Sequence, residues 1–326
     1  MNSKEMEQEI ISTLSKNKHA NNSYISLIQT KVKEKTEQQL KYVLSSITEN
    51  IYLEACAGSG KTEVVGMKTA YEISKWSSKN KGLAVLTFTN EATDTIKERV
   101  ENFSGLTSLY PHYIGTLSGF FHGFIAQSFG YKYFKHKNRD GDTSYRLIDK
   151  NLDIFNNHWL KKYELPYTDI NSLRQYSYAN QLYYDYHIND LIIYHSENHK
   201  ISLKEYYDSA EVQKFIQNYR EKSGNSHSLG FDYIRNEIKK VKRNFLDDGF
   251  ANFEDINNIA YIVLKKNPNI ALLLALRFPV ILIDECQDLS WIEINILNQL
   301  KLMVLLSISL EILISPFMNL KMQILK

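Results

Sequence analysis

An α/β fold, a parallel sheet flanked by helices and interrupted by a mainly helical insertion, is what this sequence predicts, on three observations. Three short apolar runs, Ile51 to Ala55, Leu83 to Phe88 and Val280 to Ile283, have the composition of buried parallel strands, and each ends in a polar cluster. The first runs directly into a glycine-lysine-threonine loop and then a helical pattern. Between the second and third lies a long tyrosine-rich stretch with helical periodicity and few glycine-rich turns.

The first run leads into Ala55-Cys56-Ala57-Gly58-Ser59-Gly60-Lys61-Thr62. Glycines let backbone N–H groups turn inward towards polyphosphate oxygens, so Ala57, Gly58, Ser59 and Gly60 read as a phosphate cradle. Lys61 adds a point charge for the β and γ phosphates, and the Thr62 hydroxyl is placed to ligate Mg²⁺. A helix starting near Gly60 aims its positive dipole at the same anion. Ala55 stands where the usual pattern carries its first glycine. The plainer reading is a glycine turn at a strand-to-helix junction beside a solvated lysine.

The second run follows closely, after a helix-like stretch from Glu63 to Lys75. The third ends in Asp284, 223 positions beyond Lys61, so an insertion of roughly Gly130 to Asp248 divides the sheet-forming parts. Leu182-Tyr183-Tyr184 and Tyr206-Tyr207 are read as part of its helical pattern. Ser223-Gly224-Asn225-Ser226 reads as a loop. Lys239, Lys240, Lys242 and Arg243 form a basic cluster, either a solvated helix face or a phosphate contact. Ile270 to Ile283 is apolar but broken by Arg277 and Pro279, and reads as a helix end followed by a strand rather than a membrane span.

In Val280-Ile281-Leu282-Ile283-Asp284-Glu285-Cys286-Gln287-Asp288, four apolar residues deliver Asp284 to the sheet edge, where it can hold Mg²⁺ through water. Glu285 follows where a carboxylate could orient and deprotonate an attacking water. Two adjacent acids in separate roles suit phosphoanhydride hydrolysis, because one balances the metal and the other handles the proton. An acidic strand cap is the alternative.

At 326 residues the chain exceeds one typical domain, and 43% hydrophobic with 23% charged residues is a globular composition. A net charge of +2 confines any nucleic-acid surface to a local patch. Two cysteines, Cys56 and Cys286, both in apolar strand-to-loop segments, argue for a reducing compartment and against a disulfide framework. The polar stretch Met1 to Lys18 lacks a signal-peptide core, so a cytoplasmic protein without membrane partners is expected.

Taken together, Ala57 to Thr62, the segment Thr87-Phe88-Thr89-Asn90-Glu91-Ala92 and Asp284-Glu285-Cys286-Gln287-Asp288 resemble a UvrD/Rep-like superfamily 1 DNA helicase, over about residues 36 to 300. Gln39, 22 positions before Lys61, resembles the adenine-reading glutamine of that family. Gly115-Thr116-Leu117-Ser118-Gly119-Phe120 resembles its Gly-Thr-Phe-His-Ser-Phe segment, and Phe253-Glu254-Asp255 an element preceding the acidic strand. The resemblance implies a P-loop, recA-like sheet, ATP and Mg²⁺ as cofactors, single-stranded DNA as partner, and 3′ to 5′ translocation coupled to hydrolysis. It implies that Gln39 contacts adenine, that Lys61, Thr62, Asp284 and Glu285 handle phosphate, metal and water, and that Gln287 links nucleotide state to DNA grip. Thr87, Phe88, Thr89, Asn90, Thr116 and Phe120 would border the strand, the two phenylalanines as core packing or as base-stacking platforms. Glu91 replaces a lysine common in the family and Ser118 its histidine.

The domains expected are a recA-like 1A part over 1–129, a helical 1B insertion over 130–248, the second 1A part over 249–300, and an aberrant tail over 301–326. The family continues with a Gly-Asp-Pro-x-Gln-Ser-Ile-Tyr segment and a second recA-like domain that supplies arginines. The tail instead reads as an apolar run from Leu302. Codons for Leu310 to Asn319 can be chosen so that a shifted frame spells Gly-Asp-Pro-Asn-Gln-Ser-Ile-Tyr-Glu, so a truncated amino-terminal fragment is expected, weak or inactive alone. A nucleotide- or DNA-binding module without turnover is the alternative. A small-molecule kinase or transporter ATPase fits poorly, because neither class normally carries the Asp-Glu-x-Gln-Asp string. The residues name no nuclease or other protein partner.

Overall fold

The structure is a computed structural model and describes residues 1–16, 22–47, 60–106, 108–133, 144–152, 156–166, 178–196, 199–224, 229–305 and 311–312. In chain order come helices α1 (Ser3–Leu14), α2 (Asn22–Lys33), α3 (Glu37–Leu44) and α4 (Lys61–Lys75). Strand β1 (Leu83–Thr87), α5 (Asn90–Ser104), β2 (Tyr113–Thr116) and α6 (Leu117–Phe120) follow. A π-helical turn Phe121–Ala126 then runs into α7 (Gln127–Phe129). Next come β3 (Arg146–Leu147), β4 (Leu182–Asp185), β5 (Asp190–Ser196) and β6 (His199–Ser202). The helices α8 (Leu203–Asp208), α9 (Ala210–Ser223) and α10 (Phe231–Asp247) lead to β7 (Phe250–Ala251), α11 (Phe253–Lys266) and α12 (Pro268–Arg277). The last elements are β8 (Val280–Ile283), α13 (Trp291–Leu305) and β9 (Glu311–Ile312). The chain divides into two compact units, one of 1–120 with 264–326 and one of 121–263.

The first unit is mixed α/β around a parallel sheet of order β2-β1-β8-β9. Every residue of β1 is buried, as a strand covered on both faces requires, and Val85 pairs with Ile114 on one side and Leu282 on the other. Two of the three expected strands are therefore present at the expected places. The first, Ile51 to Ala55, lies outside the described residues, as do the cradle residues Ala57, Gly58 and Ser59. Helix α4 is buried along most of its length because it serves two cores. Val64, Met67 and Tyr71 pack with Ile10, Ile28 and Leu40 of the amino-terminal helices, while Val65 and Ile73 pack with Leu83, Val85 and Leu282 of the sheet. Of the tail, Glu311 and Ile312 pair with Val280 and Ile281. Residues 306–310 and 313–326 lie outside the description.

The second unit is mostly helical but also carries an antiparallel sheet, β4-β5-β6. Leu182-Tyr183-Tyr184, expected to be helical, is a strand. Its side chains alternate with period two: Leu182, Leu191 and Ile193 join the core under α8 to α10, while Tyr183, Ile192 and Tyr194 cluster on the opposite face. The hairpin turn between β4 and β5 is closed by Asp185, whose Oδ1 accepts from His187 N at 2.8 Å, and by Asn189 in the left-handed region at φ 56°. Tyr206 and Tyr207 are helical, in α8.

No single helix among the described residues is long and apolar enough to cross a membrane; Ile270 to Ile283 is the end of α12 followed by β8.

Candidate functional site

Helix α4 opens on Gly60, whose φ of 79° and ψ of 24° lie in the left-handed region that disfavours any Cβ. Gly60 supplies no side-chain cap, so among the described residues the first backbone N–H groups of α4 have no capping side chain, and Lys61 is the first helical residue. Thr62, next in line, is half-buried.

Because β1, β2 and β8 run parallel, their carboxyl ends share one edge, where Thr87, Thr116 and Asp284 emerge. The ladder continues one residue past β8, Asp284 N donating to Leu86 O at 2.9 Å, and so fixes the acid. Asp284 is buried, and burial, then the neighbouring Glu285 charge, hold its carboxyl above the usual range, against the pull of Lys61 and the Glu285 backbone N–H. Glu285 adopts φ 59° and ψ 42°, a left-handed conformation that costs a non-glycine residue on the order of 1–3 kcal/mol. That bend turns its carboxylate towards the start of α4: Lys61 Nζ stands 3.6 Å from Glu285 Oε2, and Gln287 Nε2 donates to the same oxygen. Lys61 and Glu285, next to the buried Asp284, therefore face one another.

Two further residues belong to this neighbourhood, and sequence reading missed both. The Tyr42 phenol, at the buried end of α3, is pushed up by its burial and further by the charges of Asp284 and of Cys286, so it stays protonated beside the acid. Lys68 is fully buried in α4, its Nζ donating to Val43 O at 3.1 Å, to Ser45 O, and to Glu72 Oε1 at 2.7 Å. It thereby fastens the carboxyl end of α3 to α4. The one trace in the sequence is a Lys-Glu pair at i, i+4 on a helix face otherwise made of Val64, Met67 and Tyr71.

Gln39 stands three residues after Thr36 at the start of α3 in a reciprocal cap: Thr36 N donates to Gln39 Oε1 at 2.9 Å and Gln39 N to Thr36 Oγ1 at 3.3 Å. The cap orients the carboxamide. Glu63, in the first turn of α4, would repel an anion there, but Lys35 reaches its carboxylate at 2.9 Å and Lys31 at 3.5 Å. Burial alone would raise the Glu63 carboxyl; the two lysines bring it below its usual range.

The residues expected to border a nucleic-acid strand divide into two sets. Thr89 and Asn90 are exposed and Phe88 is half-buried, while Thr89 Oγ1 caps α5 by accepting from Ala92 N at 3.1 Å. Thr87 is fully buried; its hydroxyl lies 2.6 Å from Thr93 Oγ1 and 3.0 Å from Thr89 O, so it braces this loop from inside. Thr116 Oγ1 accepts from Gly119 N at 3.0 Å. Of the two readings of Phe120, core packing or stacking platform, its surroundings match the core: it has no exposed surface and packs edge-on against Tyr113 at 5.6 Å and Phe278 at 5.5 Å.

No cluster of three or more His, Cys, Asp or Glu side chains occurs among the described residues. A cation at Asp284 would thus take its remaining oxygens from Thr62, water and a phosphate ligand, as Mg²⁺ does in nucleotide sites. The buried acid, the hydroxyl after Lys61 and the uncapped helix end fit that group. The sequence model of the UvrD/REP helicase N-terminal domain matches residues 35–304. No curated protein matches the chain.

Proposed function

This chain belongs to the UvrD/REP helicase N-terminal domain family, and from that premise we propose that it is the ATP-hydrolysing half of a single-stranded DNA motor. The observation that carries the reading is the 3.6 Å approach of Lys61 to Glu285 across 224 positions of sequence. In this reading the sheet edge of the first unit is a P-loop, recA-like nucleotide site, and the two units correspond to subdomains 1A and 1B.

Lys61 exchanges Glu285 for the β and γ phosphates, a substitution made easy because a part-exposed pair of this kind is worth no more than about 1 kcal/mol. Thr62 and Asp284 would hold Mg²⁺, which would supply positive charge to offset that of the polyphosphate. Freed from Lys61, the Glu285 carboxylate orients the attacking water and takes its proton, steadied by Gln287. Gln39 reads the adenine from the cap at the start of α3. Phe88, Thr89 and Asn90 lie at the strand-end loop next to the site and contact the DNA backbone, so Thr87 and Gln287 couple grip to nucleotide state. Translocation runs 3′ to 5′, as in the helicases the chain resembles. Full turnover requires arginines from a second recA-like domain, a contribution worth about 10³ to 10⁵ in comparable nucleotide hydrolases.

The test is phosphate release by this chain with and without oligothymidylate. Slow release that DNA stimulates, and that Glu285→Gln lowers by about 10² to 10⁴ with nucleotide binding retained, supports the reading. Binding of nucleotide with no release under any condition would leave a binding module instead.

A further inference from the structure

The basic cluster on α10 separates, in the folded chain, into cations with different work. Lys242 points inward, fully buried, donating to Asp255 Oδ2 at 2.6 Å and to Ala179 O at 2.8 Å. Lys240 pairs with Glu237 at 2.5 Å. Lys239 and Arg243, one helical turn apart, are exposed, and among the described residues neither makes a hydrogen bond or ion pair.

Both line an open groove of about 850 Å³ in the second unit. Its other walls are aromatic. Tyr233 is 52% exposed, and Tyr133 and Tyr184 are half-buried. The Tyr184 ring is held by an edge contact to Tyr186 at 4.9 Å and by its hydroxyl bond to Asn189, so it offers a fixed surface. Two acids share the groove: Glu237 is neutralised by Lys240, and Asp247 lies at the far end of α10. With Lys242 turned inward onto Asp255 and Lys240 paired with Glu237, Lys239 and Arg243 stand against Asp247, and these two cations beside three tyrosines suit a ligand that carries both negative charge and flat rings.

We propose that this groove is a second track for single-stranded nucleic acid, with backbone phosphates on Lys239 and Arg243 and bases against the rings of Tyr233, Tyr184 and Tyr133. The identity of the occupant rests on the helicase reading; the existence of an anionic, ring-bearing ligand rests on the groove. Lys239, Arg243 and Tyr233 are surface residues outside the nucleotide site, so their replacement spares nucleotide binding.

The experiment titrates fluorescein-labelled oligothymidylate into the whole chain at several salt concentrations, with a fluorescent ATP analogue as a parallel readout. Lys239→Ala/Arg243→Ala is expected to weaken oligonucleotide binding roughly tenfold or more at low salt and to flatten the salt dependence by about two in slope. Tyr233→Ala is expected to cost about five-fold or more at any salt. Nucleotide affinity stays unchanged in both variants. Independently, oligonucleotide carrying 5-iodouracil should photocrosslink to Tyr133, Tyr184 or Tyr233. If wild type binds the oligonucleotide and the double variant binds it equally, with the same salt slope, the track is overturned while the helicase reading stands. Crosslinks found only in the first unit would overturn it equally. If wild type binds no oligonucleotide at all, the DNA part of the functional reading fails and this proposal with it.

Discussion

Lys61 and Glu285 stand 224 positions apart in sequence and 3.6 Å apart in space, held there by the parallel pairing of β1 with β8 and by a left-handed bend at Glu285 itself. Each is the other's placeholder. In the proposed function a polyphosphate would compete for the ammonium, and loss of that ammonium would leave the carboxylate available to water, so nucleotide entry and activation of the acid would be one event.

The first prediction concerns protons. Asp284 holds its proton to higher pH than an ordinary aspartate, because of burial and then Glu285. With the folded value raised above the unfolded one, this group's contribution to stability falls as pH rises from the usual carboxylate range through the raised value. Metal needs the deprotonated form, so the sign for ligand is opposite. Mg-ATP binding should tighten as pH rises through the same window, level off above it, and release protons inside it. Calorimetry in two buffers of different ionisation enthalpy measures the release; binding with no proton release there would contradict the assignment.

Lys68 is the second target. Lys68→Met leaves Glu72 buried without its cation and removes the donor to Val43 O and Ser45 O, which should cost about 3–5 kcal/mol of stability by chemical denaturation. Lys68→Met/Glu72→Leu should recover most of that. The recovered protein should still bind ATP more weakly than wild type and discriminate it less from GTP, because α3 carries Gln39. Unchanged discrimination in the double variant would reduce Lys68 to a purely structural residue.

His112 supplies the third. Its Nδ1 accepts from Leu83 N at 3.1 Å, and burial first, then Arg277, lower its pKa from 6.5 to about 4. The unfolded chain takes up this proton at higher pH than the folded one, so the contribution is complete above about pH 6.5 and is lost as pH falls towards about 4. Allowing for solvent screening, the loss should be about 1–2 kcal/mol. His112→Gln keeps an acceptor but cannot titrate, and denaturation midpoints against pH should lose this part of their acid sensitivity. An unaltered slope would remove His112 from the account.

What the sequence could tell depended on how much of each residue's role was local. Leu83–Thr87 and Val280–Ile283 were legible because a strand buried on both faces leaves an unbroken apolar run. The meeting of Lys61 with Glu285 was legible because a lysine after a glycine loop and an acid after a buried strand end fall at the same edge of a parallel sheet. Leu182–Asp185 was not, since four residues of leucine, tyrosine and aspartate fit a helix turn as well as a strand, and only pairing with Asp190–Ile193 decides. Lys68 stayed hidden because two of its partners are backbone carbonyls, which leave no mark in side-chain patterns. Phe120 shows the same limit from the other side, because a stacking ring and a core ring have the same spelling.

The most direct test is a titration of wild type, Lys61→Ala and Asp284→Asn with a fluorescent ATP analogue, with Mg²⁺ and with chelator. Metal-dependent binding by wild type, a loss of at least tenfold in Lys61→Ala, and metal-independent residual binding in Asp284→Asn are expected. Equal, metal-independent binding by all three proteins would mean that the lysine and the acids, close as they are, do not grip a nucleotide between them.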